Sequence, residues 1–171
     1  MSFAETSTYV TDIECFITNQ MRVIMTKEEQ VEMLKKSVAE WNKWRIEYHS
    51  LPINLCNANL SGADLSGANL SNALAIDTNF SNANLSGANL SSAKLSGANL
   101  SRSDLNAANL SVADLDGVDL TEANLHRANL SDSCFYFTNL NRTNLIEADL
   151  SGVDLRYTNI AKSYFITYKN K

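Results

Sequence analysis

An apolar residue falls at every fifth position from Leu55 to Phe165, and nothing else in the chain constrains its fold so tightly. The series has 23 members, 18 of them Leu. The residue before each is usually Asn or Asp, the residue two before is usually Ala, and Ser-Gly often follows, as in Ala63-Asp64-Leu65-Ser66-Gly67. A straight helix turns about 100° per residue, so a five-residue step of ~140° scatters these Leu residues around the axis. A flat strand alternates faces with period two, so an odd period sends every second Leu to the wrong side. The chain therefore has to bend once per repeat, always in the same sense, with each Leu pointing at a common axis. Four bends of about 90° close a square, and the coils stack at the spacing of paired strands, ~4.8 Å. The series then makes just under six coils, a rod of roughly 27 Å.

Three units per coil is the competing closure, and irregular positions discriminate weakly between the two. The Asn/Asp position is broken at Leu74, Lys94, Cys134 and Tyr164. The first three are separated by multiples of twenty residues, which puts them on one face of a four-sided rod. The inward stack is Leu60, Leu65, Leu70, Phe80, Leu85, Leu90, Leu100, Leu105, Leu110, Leu125 and Leu145, with their equivalents. The residue two before each also points inward and is small. Asn and Asp suit turn backbone, and Gly62, Gly67, Gly87, Gly97, Gly117 and Gly152 fall two after the Leu, where a positive φ is expected. Ala75, the one gap in the stack, is followed by the oversized Phe80, which conserves core volume.

These residues resemble the pentapeptide-repeat family, whose motif is Ala-Asp/Asn-Leu-x-x, over about residues 53–167. The resemblance implies a right-handed quadrilateral β-helix and decides for four sides. The segment Trp41-Asn42-Lys43-Trp44-Arg45 is similar to a pre-repeat segment of cyanobacterial members.

The fold expected is thus mainly β, a right-handed quadrilateral β-helix over residues 53–168. A helical capping segment precedes it at 1–52, and a tail follows at 169–171. Thr26 to Glu29 fits a capping box. Leu34, Val38, Trp41 and Trp44 then recur at helical spacing, which predicts one helix over about 27–48. A second stripe runs through Val10, Ile13, Ile17, Met21 and Ile24. This unit is read as a cap, because an open coil exposes its core and its unpaired strand edge.

Net charge is −5, divided as −2 before residue 53 and −3 after it. No basic patch for nucleic acid is visible, and no run of ~18 apolar residues predicts a membrane span. The start lacks the pattern of a signal peptide, so the expected location is the cytoplasm. His49 and His126 are isolated and no Cys-x-x-Cys occurs, so no metal or cofactor is expected. The Ser and Asp residues occupy repeat-fixed outward positions with no pocket to hold a base and a nucleophile together, which argues against an enzyme. A Cys15–Cys56 disulfide would staple cap to rod; reduced thiols are the other reading. The aromatic group Tyr136, Phe137 and Tyr157, with Arg156, is read as an interface on the irregular face. Tyr164 near the open end is read as a contact for a homodimer through the C-terminal coil.

The function expected is a non-enzymatic protein-interaction or scaffold module. The alternative is inhibition of DNA gyrase by DNA mimicry, as in the quinolone-resistance branch of the family. A rod charge of −3, with Arg102, Arg127, Arg142 and Arg156 spread along it, argues against mimicry. The acid-only stretch from Asp104 to Glu122 argues for it.

Overall fold

The computed structural model describes residues 24–164. The stripe from Val10 to Met21, Cys15 and the end of the chain from Phe165 lie outside these residues, whereas Ile24 is exposed. From residue 53 onward the chain is a β-helix solenoid. Parallel bridges join residues twenty apart, Asn54 to Leu74, Asn59 to Asn79, Asp64 to Asn84 and Asn69 to Asn89, and so on up the rod. An offset of twenty residues is four pentapeptides per coil, and it excludes three.

Most pentapeptides repeat the same bonds. The central residue donates its N–H to a carbonyl nineteen residues on, as Leu60 does to Asn79 at 2.8 Å. The residue before it donates to a carbonyl twenty-one back, as Asn79 does to Ala58 at 2.9 Å. Between these rungs the central carbonyl accepts the N–H three residues on, as Leu65 accepts from Ala68 at 3.0 Å, which closes a tight turn. The third residue of that turn, two after the central one, has a positive φ, from 55° to 75°, at every such position from 57 to 162 except Tyr157. Asn and Gly tolerate this conformation. Val112, at 59°, is β-branched and strained there.

The Asn or Asp before each central residue caps the turn from outside. Its side-chain oxygen accepts the N–H two residues on, as Asn89 does from Ser91 and Asp104 from Asn106. Leu74, Lys94 and Cys134 cannot accept in this way.

All eleven core residues named from the sequence, Phe80 among them, are buried, from Leu60 to Leu145, as is Ala75. Where the inward small residue carries a hydroxyl, a backbone carbonyl takes it: Thr78 donates to Leu55 at 2.6 Å, Thr138 to Leu115 at 2.8 Å and Ser103 to Leu100 at 2.7 Å. The hydroxyl is therefore buried without an unpaired proton.

The predicted single helix is two: α1 (Lys27–Lys36) and α2 (Val38–Glu47). Ser37 interrupts them with extended backbone, and its side chain accepts the Glu40 N–H at 3.2 Å as the N-cap of α2. Thr26 and Glu29 form the expected reciprocal capping box on α1. The break turns the chain so that Leu34, Trp41 and Trp44 are all buried, while Val38 is only partly so.

The helices meet the first coil through hydrogen bonds as well as apolar contact. The Asn42 side chain accepts the Asn69 N–H at 2.8 Å and donates to the Gly67 carbonyl at 2.9 Å. Trp41 Nε1 donates to the Asn69 carbonyl at 2.9 Å, and the Gln30 Oε1 accepts the Asn54 N–H at 2.9 Å. Arg45 reaches the Ser71 carbonyl at 3.4 Å. These side chains stand in for the rungs that a preceding coil would supply, and they blunt an exposed strand edge. They serve two of the four sides. The N–H groups of Asn59 and Asp64 have no partner among the described residues.

A candidate interaction face

The bridges define four faces. The first has central residues 55, 75, 95, 115, 135 and 155, and the fourth has 70, 90, 110, 130 and 150. Outward positions on the fourth are a nearly uniform ladder of Asn and Ser. The ladder Asn54–Leu74–Lys94–Asp114–Cys134 puts the three sequence breaks on the first face together.

Five of the large apolar side chains exposed on the rod belong to this first face: Leu74, Ile76, Tyr136, Phe137 and Tyr157. Phe137 is 75 % exposed. The Tyr136 and Tyr157 rings stack at 5.0 Å and 21°, and Phe137 meets Tyr136 edge-on at 5.9 Å. Tyr164 is exposed too, but it pairs with Asn144 and so lies on a different face from the trio.

The reason for the cluster is local. Cys134 offers no side-chain acceptor, so the Tyr136 N–H turns to Asp116 one coil below at 2.9 Å. Above Cys134 the ladder stops: no bridge joins it to Asp154, and Phe135 and Phe137 donate no rung to the next coil. The other three faces keep their pairing in that coil, at Asn129–Asp149, Asn139–Asn159 and Asn144–Tyr164. Asp154 is instead occupied by Arg156, whose Nε and Nη2 bind its carboxylate at 2.9 and 2.6 Å. That contact and the Arg156 N–H hold the Asp154 carboxyl below the usual carboxylate range.

Outside this face, arginines pair with both glutamates of the rod. Glu122 lies between Arg102 and Arg142, at 3.0 Å from each. Arg127 binds Glu147 at 2.6 Å. The Arg102 and Arg142 hydrogen bonds lower the Glu122 carboxyl, and Arg127 does the same for Glu147.

No group of three or more metal-ligating side chains comes together among the described residues. Cys56 and Cys134 carry free thiols, and Cys15, the other half of the bridge considered from the sequence, lies outside the described residues. No helix among the described residues is long and apolar enough to cross a membrane.

A stacked, four-unit coil with an outward face of this kind defines a repeat solenoid. The family model for pentapeptide repeats matches eight copies across residues 53–74, 63–102, 98–135 and 133–166, and the chain belongs to the pentapeptide repeat family. Among solved structures, the pentapeptide repeat protein Rfr23 of the cyanobacterium Cyanothece 51142 is 25 % identical with a TM-score of 0.58. That match covers 76 % of this chain and 96 % of Rfr23. HetL of the cyanobacterium Nostoc sp. strain PCC 7120, a pentapeptide repeat protein involved in heterocyst differentiation regulation, is 30 % identical over 65 % of each chain, with a TM-score of 0.37. QnrB1, a plasmid-mediated fluoroquinolone resistance protein, is 22 % identical with a TM-score of 0.28, covering 68 % of this chain and 66 % of its own. No curated protein matches the sequence.

Proposed function

We propose that this chain is a non-enzymatic protein-interaction or scaffold module of the cytoplasm that binds a partner protein through its first face. The supporting observation is the concentration of Leu74, Ile76, Tyr136, Phe137 and Tyr157 on one side of a rod whose other sides expose only Val112, Ile160 and Tyr164 among the large apolar side chains of the described residues. Exposed apolar clusters on a filled scaffold mark contact surfaces, and Tyr is prominent among residues that anchor interfaces. A packed core leaves no cleft in which a nucleophile and a base could meet, which favours binding over catalysis.

Mimicry of DNA needs an uninterrupted acidic surface. The arginines clamped on Glu122 and Glu147 work against that reading. A homodimer through the C-terminal coil is supported by the exposure of Ile160 and Tyr164.

Affinity capture from an extract of the native host tests the reading. Wild-type chain should retain a partner that a Tyr136→Ser/Phe137→Asn variant loses with its melting temperature intact. Retention by both forms would overturn the first face as the contact. Clear inhibition of gyrase supercoiling by the wild-type chain would install the mimicry reading instead.

A further inference from the structure

The first face is not uniformly apolar. Leu74 and Ile76 lie low on it, and the Tyr136, Phe137 and Tyr157 rings lie high. Between them the two corner positions are Gly97 and Gly117, so the middle of the face carries no bulk at its edge. A Cβ at Gly97 would collide with the Asp77 carboxylate, so that glycine leaves the seat in which Asp77 lies.

This saddle holds three carboxylates, Asp77, Asp114 and Asp116. None forms an ion pair among the described residues, although Lys94 is the bridge partner of Asp114. Both glutamates of the rod and Asp154 are neutralised by arginine; Asp64, Asp104, Asp119, Asp132 and Asp149 form no ion pair among the described residues either, and what sets the saddle acids apart is their place between two apolar anchors. Their geometry is fixed from within: Asp114 accepts from the Ser96 hydroxyl at 2.7 Å and the Asp116 N–H at 3.2 Å, and Asp116 accepts the Tyr136 N–H. With Lys94 counted, the saddle carries a formal charge of −2 between two apolar anchors.

The spacing selects the shape of the occupant. Ile76 and Tyr136 are three coils apart on one column, ~14 Å at the spacing of paired strands. Side chains at i and i+4 of an extended peptide lie ~13 Å apart on one side, with i+2 midway. We propose that the first face binds an extended segment of a partner protein in which a Lys or Arg is flanked two residues to each side by apolar residues, running along the rod axis. The basic side chain meets the Asp77–Asp114–Asp116 saddle, one apolar residue packs on Leu74 and Ile76, and the other on the aromatic trio. This assignment rests on the interaction reading above and names the class of partner.

Panning the full chain against a library of random short peptides, then titrating the enriched peptides by fluorescence anisotropy, tests it. Enriched sequences should carry the apolar-x-Lys/Arg-x-apolar pattern, and their binding should weaken as salt rises. The Asp77→Asn/Asp116→Asn variant keeps the oxygen that accepts the Tyr136 N–H and should lose at least ~10-fold in affinity. Phe137→Asn, which suits the positive φ there, should lose a similar factor. Ser111→Lys on the fourth face should change nothing. Enrichment of acidic or uncharged centres, no enrichment, or undiminished binding by the Asp77/Asp116 variant overturns the proposal. If host-partner capture still depends on Phe137 in that case, the interaction reading survives without it. If capture is also indifferent to Phe137, both fall.

Discussion

The fourth and first faces are built from the same backbone, yet one repeats almost without change and the other does not. On the fourth, Asn69, Asn89, Asn109, Asn129 and Asp149 each cap their turn, and the Ser after each Leu completes a polar ladder. On the first, the cap is missing three times, and apolar or aromatic side chains occupy the outward columns. The inward side differs less: the fourth face is all Leu, the first departs from Leu only at Ala75 and Phe135, and Leu110 and Leu115 are both fully buried. The interior is thus held close to one solution while the exterior is freer to vary, because core rows share one packing environment and outward residues touch mainly their neighbours one coil away.

The largest expected effect probes that shared interior. Leu110→Asn and Leu115→Asn should each cost about 3–5 kcal/mol, combining lost burial with a buried unpaired amide. Both should melt far below wild type or aggregate. A mild effect at one and a severe effect at the other would break the equivalence of the two faces. Next comes backbone strain on the otherwise regular fourth face: Val112→Asn relieves a β-branched residue at φ 59° and should gain roughly 1 kcal/mol. In a chain of this size that is about 2–4 °C in melting temperature.

The turn caps sharpen the comparison directly. Asn109→Leu should lose about 1 kcal/mol with its bond to the Ser111 N–H, whereas Leu74→Asn on the first face should gain part of that amount. Asn109→Asp should stay within about 0.5 kcal/mol, because either side chain accepts the same N–H. The smallest effect is electrostatic. Glu122 has a carboxyl held below its ordinary value, so its contribution is present above that ordinary range and is lost as pH falls through the depressed one. Glu122→Gln should therefore flatten the acid limb of the stability profile, and melts from neutral pH down to strongly acidic pH would show it.

Much of this was legible in the chain. The period of five dictates the common axis, and the breaks at Leu74, Lys94 and Cys134, spaced by multiples of twenty, point to one face. The division of the cap was written in Ser37-Val38-Ala39-Glu40, a capping signature overshadowed by the continuous stripe of Leu34, Val38 and Trp41. The roles of Gln30 and Asn42 were hidden for a different reason. Apolar spacing says which side of a helix is buried, but not which polar side chain will find an unpaired strand edge. The loss of pairing above Cys134 had no local signal, since Val153-Asp154-Leu155 keeps the motif intact. It arises from what Tyr136 and Arg156 bind instead.

The twenty-residue offset of the bridges makes angular position on this rod a matter of counting. Removing one pentapeptide between Asp116 and Cys134 would leave every later residue with an equivalent set of partners, one face earlier. The aromatic trio would swing a quarter turn onto the side now lined by Asn and Ser, while Ile76 and the acids below stayed where they are. Insertions or deletions in such a chain therefore act as a rotary dial. Changes by whole coils lengthen the spacing between two surface features, and changes by single units turn one out of line with the other.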